Sequence, residues 1–218
     1  MPTIQALQTG LRTRQKSRRR REILDQARHL FETLGYDATT MARIAQAAEV
    51  STPTVFNYFG SKDELIIGLV LEGHEAGREA ILQWHPDADL PLGDMLGDLM
   101  CRYLELTMDI AGKRVWRYAE ATNIRRPGSD VVRLYARIES NHISEITRFL
   151  RAYLPPGPNT PDGSCEVLAA AVYHHWNALF FHFIRNEDLT MDDHMQVIRK
   201  DMKALAALIA PAAQERAI

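Results

Sequence analysis

Apolar residues recur at helical spacing along most of the chain. Between residues 17 and 34 they form one stripe, and Gly35 follows where a helix is expected to end. Further long helices are predicted at about 62–84, 92–110, 112–122, 129–153, 164–186 and 191–210. Proline and glycine occupy the breaks near residues 127 and 155–163, and no strand pattern is evident. The pattern predicts an all-α protein.

Two shorter helices are predicted within residues 39–62, joined by a tight turn. The first has a small apolar face, and Ser51 can cap the second, from Thr52 to Tyr58. Pro53 falls in the first turn of the second helix, where its missing N–H costs little. Val55 and Phe59 can pack inward, which leaves outside a short, uncharged face of Thr52, Pro53, Thr54, Asn57 and Tyr58.

Such a pair of helices suits a helix-turn-helix, in which the second helix enters the major groove of DNA and the first contacts the backbone. A short polar face can hydrogen-bond to base edges and phosphates. Two short helices with a turn also occur as ordinary core structure. The local pattern alone therefore leaves both interpretations open.

The residues that follow make the pattern more specific. An aromatic pair, Tyr58 and Phe59, precedes Gly60 and a new helix that opens with Ser61 and Glu64 at capping-box spacing. With the residues before it, this segment resembles the TetR family of transcriptional regulators. The resemblance extends from about residue 18 to 77, and its other matching features are Phe31, Leu34, Gly35, Tyr36, Thr39, Thr40, Ile44, Ala45, Ala47, Ala48, Val50, Ser51, Thr54, Val55, Phe56, Lys62 and Leu65.

Three positions depart from the family pattern. Glu49 stands where the family usually turns on glycine, so we expect a mildly strained backbone there. Pro53 stands where the family often has glycine or a polar residue. Phe56 replaces a common tyrosine and cannot offer a hydroxyl to a phosphate. These departures leave the base preference open.

Charge is distributed unevenly along the 218 residues. The net charge is −2, yet residues 1–60 hold 9 Lys and Arg against 5 Asp and Glu, whereas the remainder holds 17 against 23. The positive charge thus accompanies the predicted DNA-binding segment. A hydrophobic content of 46% with 25% charged residues is ordinary for a soluble globular protein.

Several features indicate a cytoplasmic protein without a membrane partner. Cys101 and Cys165 are too few for a disulfide framework and lack metal-ligand spacing. The sequence has neither an apolar run of the roughly 20 residues that span a bilayer nor an N-terminal signal-type segment.

We expect three segments. Residues 1–16 lack a sustained period and are predicted to form a flexible basic arm, residues 17–77 the helix-turn-helix domain, and residues 78–218 a helical effector-binding and dimerisation domain. Seven positive charges precede the first acidic residue, Glu22, and could attract phosphate, although a solvated basic tail is an equal alternative for any one of them.

The predicted DNA-binding residues include side chains for bases and for phosphates. Asn57 could read a base edge, whereas the Tyr58 hydroxyl suits the phosphate chain or the ring packs as core. Thr40 can cap its helix or meet a phosphate, and Lys62 can act as a clamp. The full set is Arg18, Arg19, Thr40, Arg43, Ser51, Thr52, Pro53, Thr54, Asn57, Tyr58 and Lys62.

The last two helices are predicted to form a homodimer interface. The helix near 164–186 is apolar on more than one face, so a second subunit is expected to cover it. The helix near 191–210 has a matching stripe of Met195, Ile198, Met202, Leu205 and Ile209. A four-helix interface is also what the family resemblance implies, and its symmetry suits a palindromic operator.

The resemblance also implies a small apolar or aromatic effector bound in the larger domain. Candidate residues are Met100, Tyr103, Met108, Trp116, Glu120, Asn123, His142, Trp176 and Asn177, with Tyr118 and Tyr135 also considered. Each aromatic or Met side chain alone is more often ordinary core. His174, His175 and His182 lack the spacing of a metal site, and we expect no metal and no cofactor.

The resemblance therefore implies a homodimeric DNA-binding regulator, a repressor released from a palindromic operator by a small molecule. The alternative is a DNA-associated structural or interaction protein of the same fold without an effector. An enzyme is disfavoured, because the sequence contains no Gly-x-Ser-x-Gly, phosphate-binding glycine loop or His-Glu-x-x-His.

Overall fold

The computed structural model describes residues 4–87, 89–128, 130–154 and 163–209, and within them the chain forms helices and no strand. The N-terminal helices are α1 (Ile4–Thr33), α2 (Met41–Ala47), α3 (Thr52–Tyr58) and α4 (Lys62–Gln83). The others are α5 (Leu92–Ile110), α6 (Lys113–Arg125), α7 (Asp130–Tyr153), α8 (Ser164–Arg185) and α9 (Met191–Ile209). The predicted all-α fold, with a helix-turn-helix before a larger helical domain, is confirmed.

The first helix begins much earlier than the sequence pattern indicated. α1 starts at Ile4 rather than near Ser17, so residues 4–16 are helical and not an arm without regular structure. These residues lack a sustained apolar period, but they are rich in glutamine, leucine and arginine, which favour helices, and contain no proline. Residues 1–3 of the predicted arm lie outside the described residues.

The N-terminal domain packs around the inner faces of α1, α2, α3 and α4. Ile23, Phe31, Ile44, Val55 and Phe59 are all buried at this centre. The end of α1 is followed by Gly35 at φ +87°, a left-handed conformation that glycine adopts without strain. The buried Thr39 hydroxyl donates to the Gly35 carbonyl at 2.7 Å, which fixes the connection into α2.

The larger domain is built from paired helices, with α5 along α9 and α7 along α8. At Gly93 in α5, an added Cβ atom would lie 2.8 Å from the Lys203 Cα atom, so only glycine allows this approach of α5 to α9. α4 contacts α1, α5, α6 and α7. It continues unbroken through residue 77, where the domain boundary was predicted, and so connects the two parts of the chain.

Much of the apolar surface assigned to a dimer interface is covered within the chain itself. On α8, Trp176 and Phe180 are buried, and on α9, Ile198 and Met202 are buried. The wide apolar character of α8 therefore reflects burial against neighbouring helices of the same chain as well. Other apolar side chains of these helices stay at least partly exposed: Leu168, Leu179, Met195, Val197, Leu205, Val167 and Leu208.

None of the helices in the described parts of the chain is long and apolar enough to cross a membrane.

Candidate functional site

The turn between α2 and α3 is held by local hydrogen bonds. The Ser51 hydroxyl accepts from the backbone N–H of Thr54 at 3.3 Å and caps α3 as the sequence predicted. Thr40 caps α2 in the same way, accepting from the Arg43 N–H at 3.2 Å. Glu49 has φ +52°, which confirms the expected strain at the position where the turn reverses. These contacts fix α3 at one angle across α2.

The outer face of α3 is open to solvent. Pro53 and Asn57 are exposed, whereas Thr52, Thr54 and Tyr58 are partly buried. The Thr54 hydroxyl forms a hydrogen bond with the Ser51 hydroxyl at 2.7 Å, so Thr54 supports the turn as well as facing outward. Tyr58 packs at the edge of the core, its ring centroid 6.4 Å from that of Phe59.

Phe56 also lies on this face, and the predicted set of DNA-binding residues omitted it. Its side chain is 50% exposed. Its position three residues after Pro53, on the same face of a helix, is the signal that could have placed it there.

The basic residues predicted to meet phosphates lie at the surface, and each has a protein partner. Arg18 and Arg19 approach the Glu22 carboxylate at 3.5 and 3.0 Å. The Arg43 guanidinium donates to the Ala38 carbonyl at 2.9 Å. These contacts are exposed, so they hold the side chains only weakly and leave them able to turn to a phosphate.

Lys62 makes a contact that the sequence did not reveal. Its ammonium group donates to the Tyr36 carbonyl at 2.7 Å and lies 4.1 Å from the centroid of the Tyr36 ring. Lys62 therefore ties the start of α4 to the end of the α1–α2 connection. Beside it, the Ser61 hydroxyl caps α4, and the Glu64 carboxylate accepts from the Gly60 N–H at 3.0 Å.

A polar junction joins the N-terminal domain to α6 and the loop after it. The Asp63 carboxylate accepts from the Tyr36 hydroxyl and pairs with Arg126 at 2.5 Å. The Tyr36 ring stacks on that of Tyr118 with centroids 5.0 Å apart. Burial and the Asp63 carboxylate both raise the pKa of Tyr36, which stays a neutral donor. A shift of α6 would therefore move the partners of Asp63, the residue that follows Lys62.

Several of the predicted effector residues meet between α4, α5, α7 and α8. The Tyr103 and His142 rings lie 4.5 Å apart, and the His142 and Trp176 rings 6.3 Å apart. The Trp176 indole N–H donates to the Met100 carbonyl at 3.0 Å. The Tyr103 hydroxyl donates to the buried Glu145 carboxylate at 2.7 Å.

Buried histidines in this region are neutral. Burial, with a smaller contribution from His74, lowers the pKa of His142 to about 3, and burial lowers that of His74 to about 4. The Nδ1 atom of His142 has no hydrogen-bond partner among the described residues. Uncharged rings therefore line the inner part of the domain.

The other predicted effector residues make different contacts. Burial raises the pKa of Glu120 to about 7, although the nearby Tyr135 and Asn123 side chains act in the opposite direction. Trp116 donates to the Thr107 carbonyl at 3.0 Å and packs on Phe180. Met108 and Asn177 are half-buried and line none of the cavities described below.

The cavities beside these residues are small. One of about 20 Å³ lies between α4, α5 and α7, against His74, Tyr103 and His142. It has room for about one water molecule. A larger cleft of about 230 Å³ shares Ile81 and Tyr103 with it and opens between the ends of α4 and α7. This cleft approaches the size of small-molecule pockets, which begin at about 300 Å³.

Two histidines of α8 lie beside carboxylates. His175 lies 2.8 Å from Asp201, and His174 lies 3.7 Å from Glu139. In the parts of the chain that the structure describes, no three His, Cys, Asp or Glu side chains come together in a group that could hold a metal ion.

Comparison with known proteins also relates the N-terminal domain to helix-turn-helix regulators. Residues 23–69 match the family model described as bacterial regulatory proteins, tetR family. The HTH-type transcriptional regulator TcmR of Streptomyces glaucescens is 38% identical over 88 residues, which cover 40% of this chain and 38% of that protein. The HTH-type transcriptional repressor Rv1474c of Mycobacterium tuberculosis is 41% identical over 69 residues, 29% of this chain and 37% of its own length.

The matched segments thus span less than two fifths of the length of these relatives. A solved structure from Mesorhizobium loti, a TetR-family transcriptional regulator by its description, superimposes over 88% of this chain and 96% of its own, with TM-score 0.63 and 19% identity. That likeness concerns the fold alone. The match to the tetR family of bacterial regulatory proteins thus covers the N-terminal domain, and the chain as a whole shares the fold of solved TetR-family regulators.

Proposed function

We propose that the protein is a transcriptional repressor that binds a palindromic operator as a homodimer. The observation that carries this proposal is the outer face of α3, which is exposed while the inner face is locked into the core by Val55 and Phe59. A helix presented in this way fits the major groove. The relatives TcmR and Rv1474c, a regulator and a repressor by name, share this domain.

A dimer gives the recognition helices the spacing that DNA requires. Two copies of α3 must lie about 34 Å apart to enter successive major grooves on one side of the duplex. The half-buried Leu168 and Leu179 of α8, with Met195 and Leu205 of α9, offer apolar surface for a symmetric contact. Arg18, Arg19, Arg43 and Lys62 are proposed to contact the phosphates on either side of α3.

Selection of duplexes from a random pool by the full-length protein tests this proposal. We expect enrichment of an inverted repeat with half-site centres about 10 base pairs apart, bound by one dimer. Light scattering of the purified complex gives the number of chains per duplex. Recovery of no common sequence, or a single chain on an asymmetric site, would contradict the proposal.

We propose further that a small aromatic molecule binds the cleft between α4 and α7 and releases the DNA. Trp84, Phe149 and Tyr153 give this cleft aromatic walls, and Tyr103 separates it from the inner cavity. α4 reaches from the cleft at its C-terminal end to Lys62 and Asp63 at its N-terminal end. An effector that moves α4 or α6 would change the angle of α3. For this, the effector must bind the DNA-bound and the released arrangements of the protein with unequal affinity.

The effector is tested by adding aromatic compounds to the operator-bound protein and measuring release of the duplex. The exposed Ala152 lines the cleft, and we expect Ala152→Trp to fill it, so that DNA binding persists and release by an active compound is lost. Ala76→Trp, on an exposed position of α4 outside the cleft, serves as the control. Equal release from both variants would exclude the cleft, and no release by any compound would favour the structural alternative.

A further inference from the structure

Phe56 is an apolar ring on a surface that is otherwise polar. It is 50% exposed, and no other Phe, Tyr or Trp among the described residues is as open to solvent. Its neighbours in sequence define its direction, because Val55 is buried against α2 and Asn57 is exposed. Phe56 therefore contributes little to the core of its own chain.

The position of Phe56 sets it apart from scattered surface hydrophobics, which need no explanation. It stands one residue before Asn57 on the helix proposed to enter the major groove, three residues after the exposed Pro53. Ser51 and the Glu49 turn fix the orientation of α3, so the ring is presented at a defined angle. A ring held there would face the base edges when the protein binds DNA.

The chemistry of the phenyl group restricts what it can recognise. It has no hydrogen-bond donor or acceptor, so it cannot bind a phosphate or the polar edge of a base. The one apolar group in the major groove is the 5-methyl group of thymine, and contact with phenylalanine is one way that proteins read it. A cytosine at the same place would present no methyl group to the ring.

We propose that Phe56 reads the methyl group of a thymine in each half-site of the operator. This inference rests on the proposed function and adds to it the chemical identity of one base. Asn57 lies about 100° further around α3, and its amide suits the adenine edge of a neighbouring pair. The operator half-site then contains A·T pairs at the positions that face Phe56 and Asn57.

Replacing thymine by deoxyuridine tests the proposal, because the exchange removes the methyl group and keeps base pairing. Symmetric replacements are made one position at a time in the selected operator, and affinities are measured by fluorescence anisotropy for the full-length protein. At one position per half-site we expect a loss of about fourfold for each methyl group, hence about tenfold or more for the two half-sites. Phe56→Ala should show less than a twofold difference between the same two duplexes.

Asn57→Ala is the matched control, since it lowers affinity for both duplexes but should retain the penalty for deoxyuridine. The proposal is overturned if no thymine position weakens binding of the natural protein, or if Phe56→Ala keeps the full penalty. Failure of the natural protein to bind any selected duplex would instead remove the proposed function itself. The two failures are therefore distinct.

Discussion

Phe59→Ala will lower the free energy of unfolding of the N-terminal domain by about 3–5 kcal/mol, the usual cost of deleting a fully buried Phe ring. Phe59 is 2% exposed. The Arg20 guanidinium lies 4.4 Å from the ring centroid, and the ring edge approaches Gly68 so closely that an added Cβ there would be 2.9 Å away. Its removal leaves a cavity between α1, α3 and α4, and the neighbouring helices cannot move enough to fill it. Urea denaturation of the full-length protein, followed by circular dichroism, measures the loss.

Phe56→Ala provides the control, because it removes the same group three residues earlier in the chain, within α3. Phe56 is half exposed, so we expect its stability to stay within about 0.5 kcal/mol of that of the natural protein. Equal destabilisation by the two variants would mean that α3 is packed in a different orientation from the one described. It would also place Phe56 inside the protein and end its proposed contact with thymine.

Asn57→Ala will reduce affinity for the selected operator by about 30-fold or more. An amide that makes two hydrogen bonds to a base contributes roughly 1–3 kcal/mol, and a dimer loses that contact twice. Because Asn57 is exposed and makes no contribution to the core, the variant should fold normally. Titration of labelled operator and of a scrambled duplex separates sequence-specific from non-specific binding. Only the affinity for the operator should fall.

Gln83→Ala is the control for that prediction. Gln83 is an exposed amide side chain at the far end of α4, so its removal should leave both affinities unchanged. If Asn57→Ala weakened operator and scrambled duplex equally, the amide would serve general attachment to DNA and not recognition of a base.

The parts of the fold that depend on local sequence could be predicted. The Ser51 cap and the buried Val55 follow from residues within one turn of each other, and the structure has both. The strained backbone at Glu49 was expected from the family resemblance, and its φ of +52° agrees. The start of α1 was misplaced, because a stripe of apolar residues marks where a helix packs and not where it begins. Residues 4–16 continue the helix, although their sequence has no sustained apolar period that would have predicted it.

Contacts between distant parts of the chain could not be predicted. Arg126 and Asp63 are far apart in sequence, and nothing in either segment indicates that they form an ion pair. Lys62 looks like a free phosphate clamp in the sequence, yet its ammonium group contacts Tyr36. Both contacts lie at the junction between the domains, where the packing of α6 on the N-terminal domain decides which side chains meet.

The effector region illustrates a different limit. Tyr103, His142 and Trp176 were selected because aromatic and polar residues of this kind line small-molecule sites, but the same residues also fill cores. The structure packs them closely, and the cavity that Tyr103 and His142 both line has a volume of only about 20 Å³. The cleft at the ends of α4 and α7 involves Trp84, Phe149 and Arg148, and no sequence pattern connects these three residues.

A crystal structure of the protein bound to its selected duplex would show whether α3 recognises the operator. We expect two chains on one duplex, with each α3 in the major groove and about 34 Å between the two helices. Asn57 should lie within hydrogen-bonding distance of a base edge. A complex in which α3 faces away from the DNA, while other surfaces of the chain hold the duplex, would contradict this expectation.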